Sequence, residues 1–113
     1  MEKYSEERPW GRFEEFCKNT QCTVKILYVK PNEELSLQSH NNRDEFWKII
    51  KGRATIVLGE KEIQGKEGDE FFIPRKEKHR IRTGDSPAQI LEISFGWFDE
   101  KDETRYEDKY GRE

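Results

Sequence analysis

Between residues 20 and 96, apolar and polar positions alternate in short runs bounded by turn residues, and no run carries an apolar stripe at helical spacing. TVKILYVK (23–30) alternates and is rich in β-branched and aromatic side chains. LSLQSH (35–40), EFWKIIK (45–51) and ATIVLG (54–59) follow, then a short KEIQ segment, DEFFIP (69–74), HRIRT (79–83) and QILEISF (89–95). Turn signals separate them at Pro31-Asn32, Lys51-Gly52, Gly65, Gly68, Pro74 and Gly84 through Pro87. WGRFEEFCK (10–18) is expected to add an N-terminal strand with Trp10 as its anchor. The charged tail after Phe95 is expected to form a short helix or an arm. Many short strands without helices predict an all-β domain, a sandwich or barrel.

Composition narrows this. A chain of 113 residues with 32% hydrophobic content fits one domain, 1–113, with one modest core. That core is expected over about 22–96, flanked by the N-terminal strand (8–18) and a C-terminal arm (97–113). No stretch approaches the length of a membrane span, and MEKYSEERPW has no apolar signal region, so the expected location is cytoplasmic. Lys and Arg number 21 against 24 Asp and Glu, a balance that argues against a nucleic-acid partner. Cys17 and Cys22, separated by KNTQ, could face each other across a hairpin loop; a cytosolic chain keeps such thiols reduced.

The chain has only two histidines, His40 and His79. Gln38 and His40 lie two apart in a predicted strand, which puts both on one face with Leu35 and Leu37 opposite. Glu45 opens the next strand after an Asn41–Asp44 turn and folds back beside His40. His79 opens a later strand. Together the four would offer two imidazole nitrogens and two oxygens around one point, a set suited to Zn, Mn, Co, Ni or Fe without choosing among them.

These spacings resemble the cupin superfamily, a jelly-roll barrel also called a double-stranded β-helix. Its first segment is matched by Asn32, Gln38-Ser39-His40, Glu45 and Gly52, and its second by Gly68, Pro74-Arg75-Lys76, His79 and Thr83. Asn32 and Lys76 replace turn glycines, Gln38 stands at the first histidine position and Thr83 at the final Asn. RPWGRFEEF, LSLQSHNNRDEFW, IPRKEKHRI and the ending RYEDKYGR are further similar to the type II mannose-6-phosphate isomerase cupin, over roughly residues 8–112. That module commonly forms the C-terminal domain of enzymes that also carry mannose-1-phosphate guanylyltransferase. The Gly-rich nucleotide loop of that half is not found in these residues, so that activity is not expected of them. Asn42 and Phe46 stand where the family has histidines.

The resemblance implies a metal-dependent isomerase that interconverts mannose 6-phosphate and fructose 6-phosphate, with Gln38, His40, Glu45 and His79 as ligands. The same Gln-x-His…Glu…His set resembles that of the type I phosphomannose isomerases. Arg43 is then expected to stabilise the developing oxyanion and Lys25 or Glu92 to act as base. Arg8, Arg80 and Arg112 are candidates for the phosphate. Trp47 and Phe71 read as core. The alternative is a cupin that binds a small sugar or polar metabolite without turning it over. A homodimer formed through edge strands is expected in either case, with the N-terminal RFEEFCK strand and the C-terminal RYEDKYGR arm as candidates.

Overall fold

The computed structural model describes residues 3–111, in which ten strands are formed. They are β1 (Tyr4–Arg8), β2 (Gly11–Glu15), β3 (Cys22–Val29), β4 (Leu37–Ser39), β5 (Glu45–Leu58), β6 (Lys61–Lys66), β7 (Glu70–Ile73), β8 (His79–Arg82), β9 (Ala88–Phe95) and β10 (Thr104–Glu107). Among the described residues no helix is long and apolar enough to cross a membrane.

The barrel turns on β5. Two strands were expected here, with a turn at Lys51-Gly52; one strand of 14 residues is found. A register shift between Ile49 and Lys51, followed by Gly52 at φ +85°, bends the strand without ending it. A side chain at Gly52 would collide with the Pro87 carbonyl oxygen, so the bend requires glycine twice over. The half before the bend pairs with β7 and β9, and β9 pairs with β3. The half after it pairs with β6 and β8, and β8 leads through β4 to β10. One strand thus belongs to both faces of the barrel, and the lumen lies between them.

Inward positions follow period two. Trp47 and Ile49 of β5, Ile56 beyond the bend, Ile81 of β8 and Ile90 of β9 are all buried in one cluster with Phe71 and Ile73. Each buried isoleucine contributes about 1.5–3 kcal/mol relative to an exposed one. Trp47 and Phe71 are therefore core, as expected.

The N-terminal strand and the C-terminal arm both form, and only the role of Trp10 differs from expectation. β2 begins at Gly11 and ends at Glu15, and its partner is β1 in a separate hairpin, with Tyr4 opposite Glu15 and Arg8 opposite Gly11. Pro9 and Trp10 form the tip of that hairpin. Trp10 is 72% exposed there and anchors nothing, because a hairpin tip reaches no core. The hairpin is held by its base instead: the Phe16 ring lies 5.3 Å from that of Phe46, and Lys3, Glu14, Lys48 and Glu70 form an ion network. Cys17 and Cys22 do face each other across the following loop, as free thiols with sulfurs 3.6 Å apart.

The charged tail forms strand β10 rather than a helix, along the free edge of β4. Asp102 accepts hydrogen bonds from the backbone N–H groups of Asn41 and Asn42, both at 2.9 Å. The Tyr106 hydroxyl meets Ser39 Oγ at 2.9 Å. Arg80 donates to the Leu35 carbonyl at 2.9 Å and to Glu107 at 3.0 Å. Arg80 is thus a tie between β8 and the arm. Arg8 is spent on Glu6 and the Phe13 ring, far along the hairpin. Arg112 lies outside the described residues.

Candidate metal centre

Strand pairing assembles the two motif segments. Gln38 of β4 stands opposite His79 of β8, so the end of one segment meets the end of the other. Asn32 and Lys76, the residues in place of turn glycines, keep left-handed backbone at φ 57° and 70°. Lys76 in that conformation donates its N–H to the His40 carbonyl at 2.6 Å, which fixes the loop before His79 against the strand carrying His40. Thr83, at the final Asn position, closes the segment by donating to the Lys30 carbonyl at 2.5 Å and accepting from Glu33 N at 3.0 Å.

His40, Glu45 and His79 converge. One nitrogen from each ring and one Glu45 oxygen lie within 4.8 Å of one another, and all three residues are buried. His79 Nε2 is 3.7 Å from Glu45 Oε1, and His40 Nδ1 is 3.8 Å from Glu45 Oε2. Adjacent ligands of one ion with bonds of about 2.1 Å stand about 3.0–3.5 Å apart, so the two Glu45 contacts exceed that spacing by a few tenths of an ångström, and the trio as a whole, spread within 4.8 Å, would contract around an ion.

Two observations on the side chains fit a cation. His40 Nε2 and His79 Nε2 are buried without a hydrogen-bond partner among the described residues, a cost of about 1–3 kcal/mol each that a bound ion removes. The ring of His79 meets the Glu77 carbonyl through Nδ1 at 2.9 Å, which assigns the proton to Nδ1 and leaves the Nε2 lone pair facing inward. Burial holds both imidazoles below the ordinary histidine pKa; the Glu45 charge opposes that fall and the Arg43 charge adds to it. Both rings are therefore neutral donors at neutral pH.

Glu45 is held from three sides. Its Oε2 accepts from Arg43 Nε at 3.1 Å and from Ser94 Oγ at 3.3 Å, and its Oε1 accepts from Trp47 Nε1 at 3.2 Å. Arg43 also donates to the Asp99 carbonyl at 3.3 Å.

A cavity of about 380 Å³ opens beside this group. Lys25 and Glu92 face each other across β3 and β9, and Trp47 continues the same inward row on β5. Lys25, Arg43 and Glu92, the three candidate catalytic residues, all line the cavity with Gln38 and Glu45. Burial, then the Glu45 charge, pushes the Glu92 carboxyl up to about 7, against the pull of Lys25 and Arg43. Leu35 lines the cavity too, against the expectation that it would face away from Gln38; regular pairing in β4 starts only at Leu37, so alternation does not reach back to it.

The far wall of the cavity was not anticipated. Phe98, Glu103 and Arg105 come from the arm. The Phe98 ring lies under both Lys25 Nζ, at 4.3 Å, and the Arg43 guanidinium, at 4.4 Å. Glu103 Oε1 stands 3.5 Å from His40 Nε2. With its amide nitrogen turned toward Glu103, Gln38 donates to Oε1 at 2.6 Å and to Oε2 at 3.2 Å. Gln38 is thus near the trio but engaged with the arm. Nothing in the sequence distinguishes Glu103 from the other acidic residues of the tail.

The mannose-6-phosphate isomerase C-terminal family matches residues 2–108. The chain belongs to that family. It is 36% identical over 107 residues to the xanthan biosynthesis protein XanB of Xanthomonas campestris and 35% identical over 108 residues to the mannose-1-phosphate guanylyltransferase ManC of Salmonella typhimurium. Each match takes in 93% of this chain; the chain spans 23% and 22% of those proteins' lengths. Among solved structures, a sugar phosphate isomerase from a cupin superfamily of Silicibacter pomeroyi superposes with a TM-score of 0.65 at 21% identity, over 81% of this chain and 70% of that one. A Klebsiella pneumoniae protein with a double-stranded β-helix domain gives 0.68 at 17% identity, over 82% and 81%. The fold is a cupin.

Asn42 and Phe46, where the resemblance implies histidines, both lie outside the cavity lining. Phe46 points to the outer face, between Ile93 and Phe72 and under Phe16, while Glu45 and Trp47 on either side point in. Asn42 sits in the β4–β5 turn, exposed, with its N–H capped by Asp102.

Proposed function

We propose that this member of the isomerase family interconverts mannose 6-phosphate and fructose 6-phosphate with a divalent cation held by His40, Glu45 and His79. The observation that carries the reading is the placement of Lys25, Arg43 and Glu92 around one cavity that reaches the buried trio at Glu45. A divalent cation there supplies Lewis acidity for the sugar's carbonyl and hydroxyl oxygens. The remaining chemistry belongs to side chains. Glu92 takes the C2 proton of the open-chain aldose; the C–H electron pair becomes the C1–C2 double bond of an enediol, and the carbonyl electrons pass to O1. Return of the proton to C1 and passage of the O2 proton to O1 give the ketose, with no net oxidation. A carboxyl titrating near neutrality suits this traffic in both directions. Arg43, fixed by Glu45, Asp99 and the Phe98 ring, presents its charge to the developing oxyanion. Lys25, at the open edge of the cavity, holds the other end of the anionic substrate.

The test is to load the protein with Co, Mn, Ni, Fe or Zn in turn, add mannose 6-phosphate and follow fructose 6-phosphate. Turnover in any one, lost in Glu92→Gln, is expected; no turnover in all five ends the proposal. The homodimer is proposed along β3, whose outer positions Val24, Ile26 and Tyr28 are exposed on an edge strand. Light scattering at twice 13.6 kDa is the expected result, and a monomer mass rejects it.

A further inference from the structure

We infer that Glu103, carried by the C-terminal arm, is itself a ligand of the metal centre, and that Gln38 supports Glu103 instead of binding the ion. The inference rests on the reading of His40, Glu45 and His79 as a cation site.

Glu103 is the only arm carboxylate that faces an orphaned imidazole nitrogen among the described residues. Its Oε1 is 3.5 Å from His40 Nε2, a buried atom with no hydrogen-bond partner. That separation is the spacing of two ligands on one ion bound through Nε2. Glu45 meets the same ring at Nδ1 and Glu103 lies outside the 4.8 Å trio, so the His40 ring and the arm must both close on the ion. The Glu103 side chain is 16% exposed, so water does little to satisfy it.

The groups around Glu103 are those that orient a ligating carboxylate. Gln38 donates to both of its oxygens, and Arg105 Nη2 pairs with Oε2 at 2.6 Å. Gln38 and Arg105 stand directly opposite each other across β4 and β10, so one rung of the sheet grips the carboxylate from two sides. The arm itself is tied on both flanks of Glu103, by Asp102 to the Asn41 and Asn42 backbone and by Tyr106 to Ser39. A half-exposed Arg–Glu pair contributes about 0–1 kcal/mol and does not account for a carboxylate placed against a neutral, buried imidazole. A divalent cation does. Two imidazoles and two carboxylates would neutralise its charge, whereas a Gln38 ligand would leave one positive charge uncompensated beside Arg43.

The experiment is Co(II) binding by chelator competition, with the visible ligand-field spectrum as second readout, on wild type, His79→Ala, Glu103→Ala, Glu103→Gln and Gln38→Ala. Wild type is expected to bind and His79→Ala to lose binding. Glu103→Ala should weaken affinity by about 100-fold or more and change the spectrum. Glu103→Gln, which keeps the size of the side chain and so guards against collapse of the arm, should weaken it by at least about 10-fold. Gln38→Ala should cost less than Glu103→Ala, within the roughly 10–100-fold range of an outer-sphere support, and leave the band positions unchanged. Wild-type affinity and spectrum in both Glu103 variants overturn the inference while the site stands. A larger loss and an altered spectrum in Gln38→Ala, with Glu103→Ala near wild type, return the ligand role to Gln38. Equal binding by wild type and His79→Ala removes the site and the inference together.

Discussion

Glu45 and His79 stand on strands whose further inward positions are fully buried isoleucines, and His40 directly follows β4, whereas Phe98, Glu103 and Arg105 stand on a segment held by backbone caps and ion pairs. The first wall of the cavity is placed by the core of the barrel, so its geometry is as stiff as the packing behind it. The second is placed by polar contacts laid over a sheet edge, each contributing little alone. A cupin of this kind can therefore keep its His–Glu–His trio while the opposite wall is rebuilt. The walls should also respond differently to damage: lesions in the first should show as global stability, lesions in the second as local opening beside the site.

The widest gap is expected from Ile49→Ala. Ile49 is fully buried directly behind Trp47, and the substitution should cost about 4 kcal/mol in urea unfolding, from lost transfer energy and the cavity left. A cost under about 1 kcal/mol would mean that the core does not set the first wall. Arg43→Met comes next. It strips a charge partner from a buried carboxylate that retains only the Trp47 and Ser94 donors, and should cost about 3 kcal/mol in metal-free protein. Near-neutral stability would show that Glu45 is already solvated and the trio open.

Asp102→Ala tests the second wall. It releases two backbone N–H groups of the β4–β5 turn from a carboxylate and should cost about 1.5 kcal/mol. The sharper readout is hydrogen exchange: protection should fall over β10 and the β4–β5 turn while β5 and β9 stay as protected as in wild type. Uniform loss across the chain would mean that the two walls form one cooperative unit and that the contrast drawn between them fails.

The same contrast decides what could be read before the structure. The strands of the first wall follow period two, so TVKILYVK and QILEISF announce themselves, and the resemblance of their spacing to the two cupin segments brought His40, Glu45 and His79 into one frame. Local pattern did not show that β5 runs through Gly52. Lys51-Gly52 has the composition of a turn, and only the position of Pro87 and the bulge make it a bend. Glu103 was illegible for a related reason. The tail carries Asp99, Glu100, Asp102, Glu103, Glu107 and Asp108, and which of them faces His40 depends on the register of β10 against β4, a long-range pairing with no apolar alternation to mark it. Trp10 misled for the opposite reason: a large aromatic implies a core, but a hairpin tip has none to offer.

Glu92 sits between the two walls, and its titration gives the smallest and most specific effect. Its carboxyl titrates near 7 in the folded, metal-free protein against an ordinary value of 4.5. The folded state therefore holds this proton more tightly than the unfolded chain. The stability it contributes is fully present below about pH 4.5 and is lost as pH rises through 7. A shift of that size amounts to about 3 kcal/mol at full burial. Glu92 is only half-buried at the edge of a solvent-filled cavity, so about 1 kcal/mol is the expected amount. In the presence of a chelator, Glu92→Gln should then be more stable than wild type by about 1 kcal/mol at pH 8, and the difference should close toward pH 5. The thermal melts of the two proteins across this range are the measurement. A constant offset, or a gain that grows toward low pH, would mean that the carboxyl stays ionised throughout, with Lys25 and not burial setting its charge.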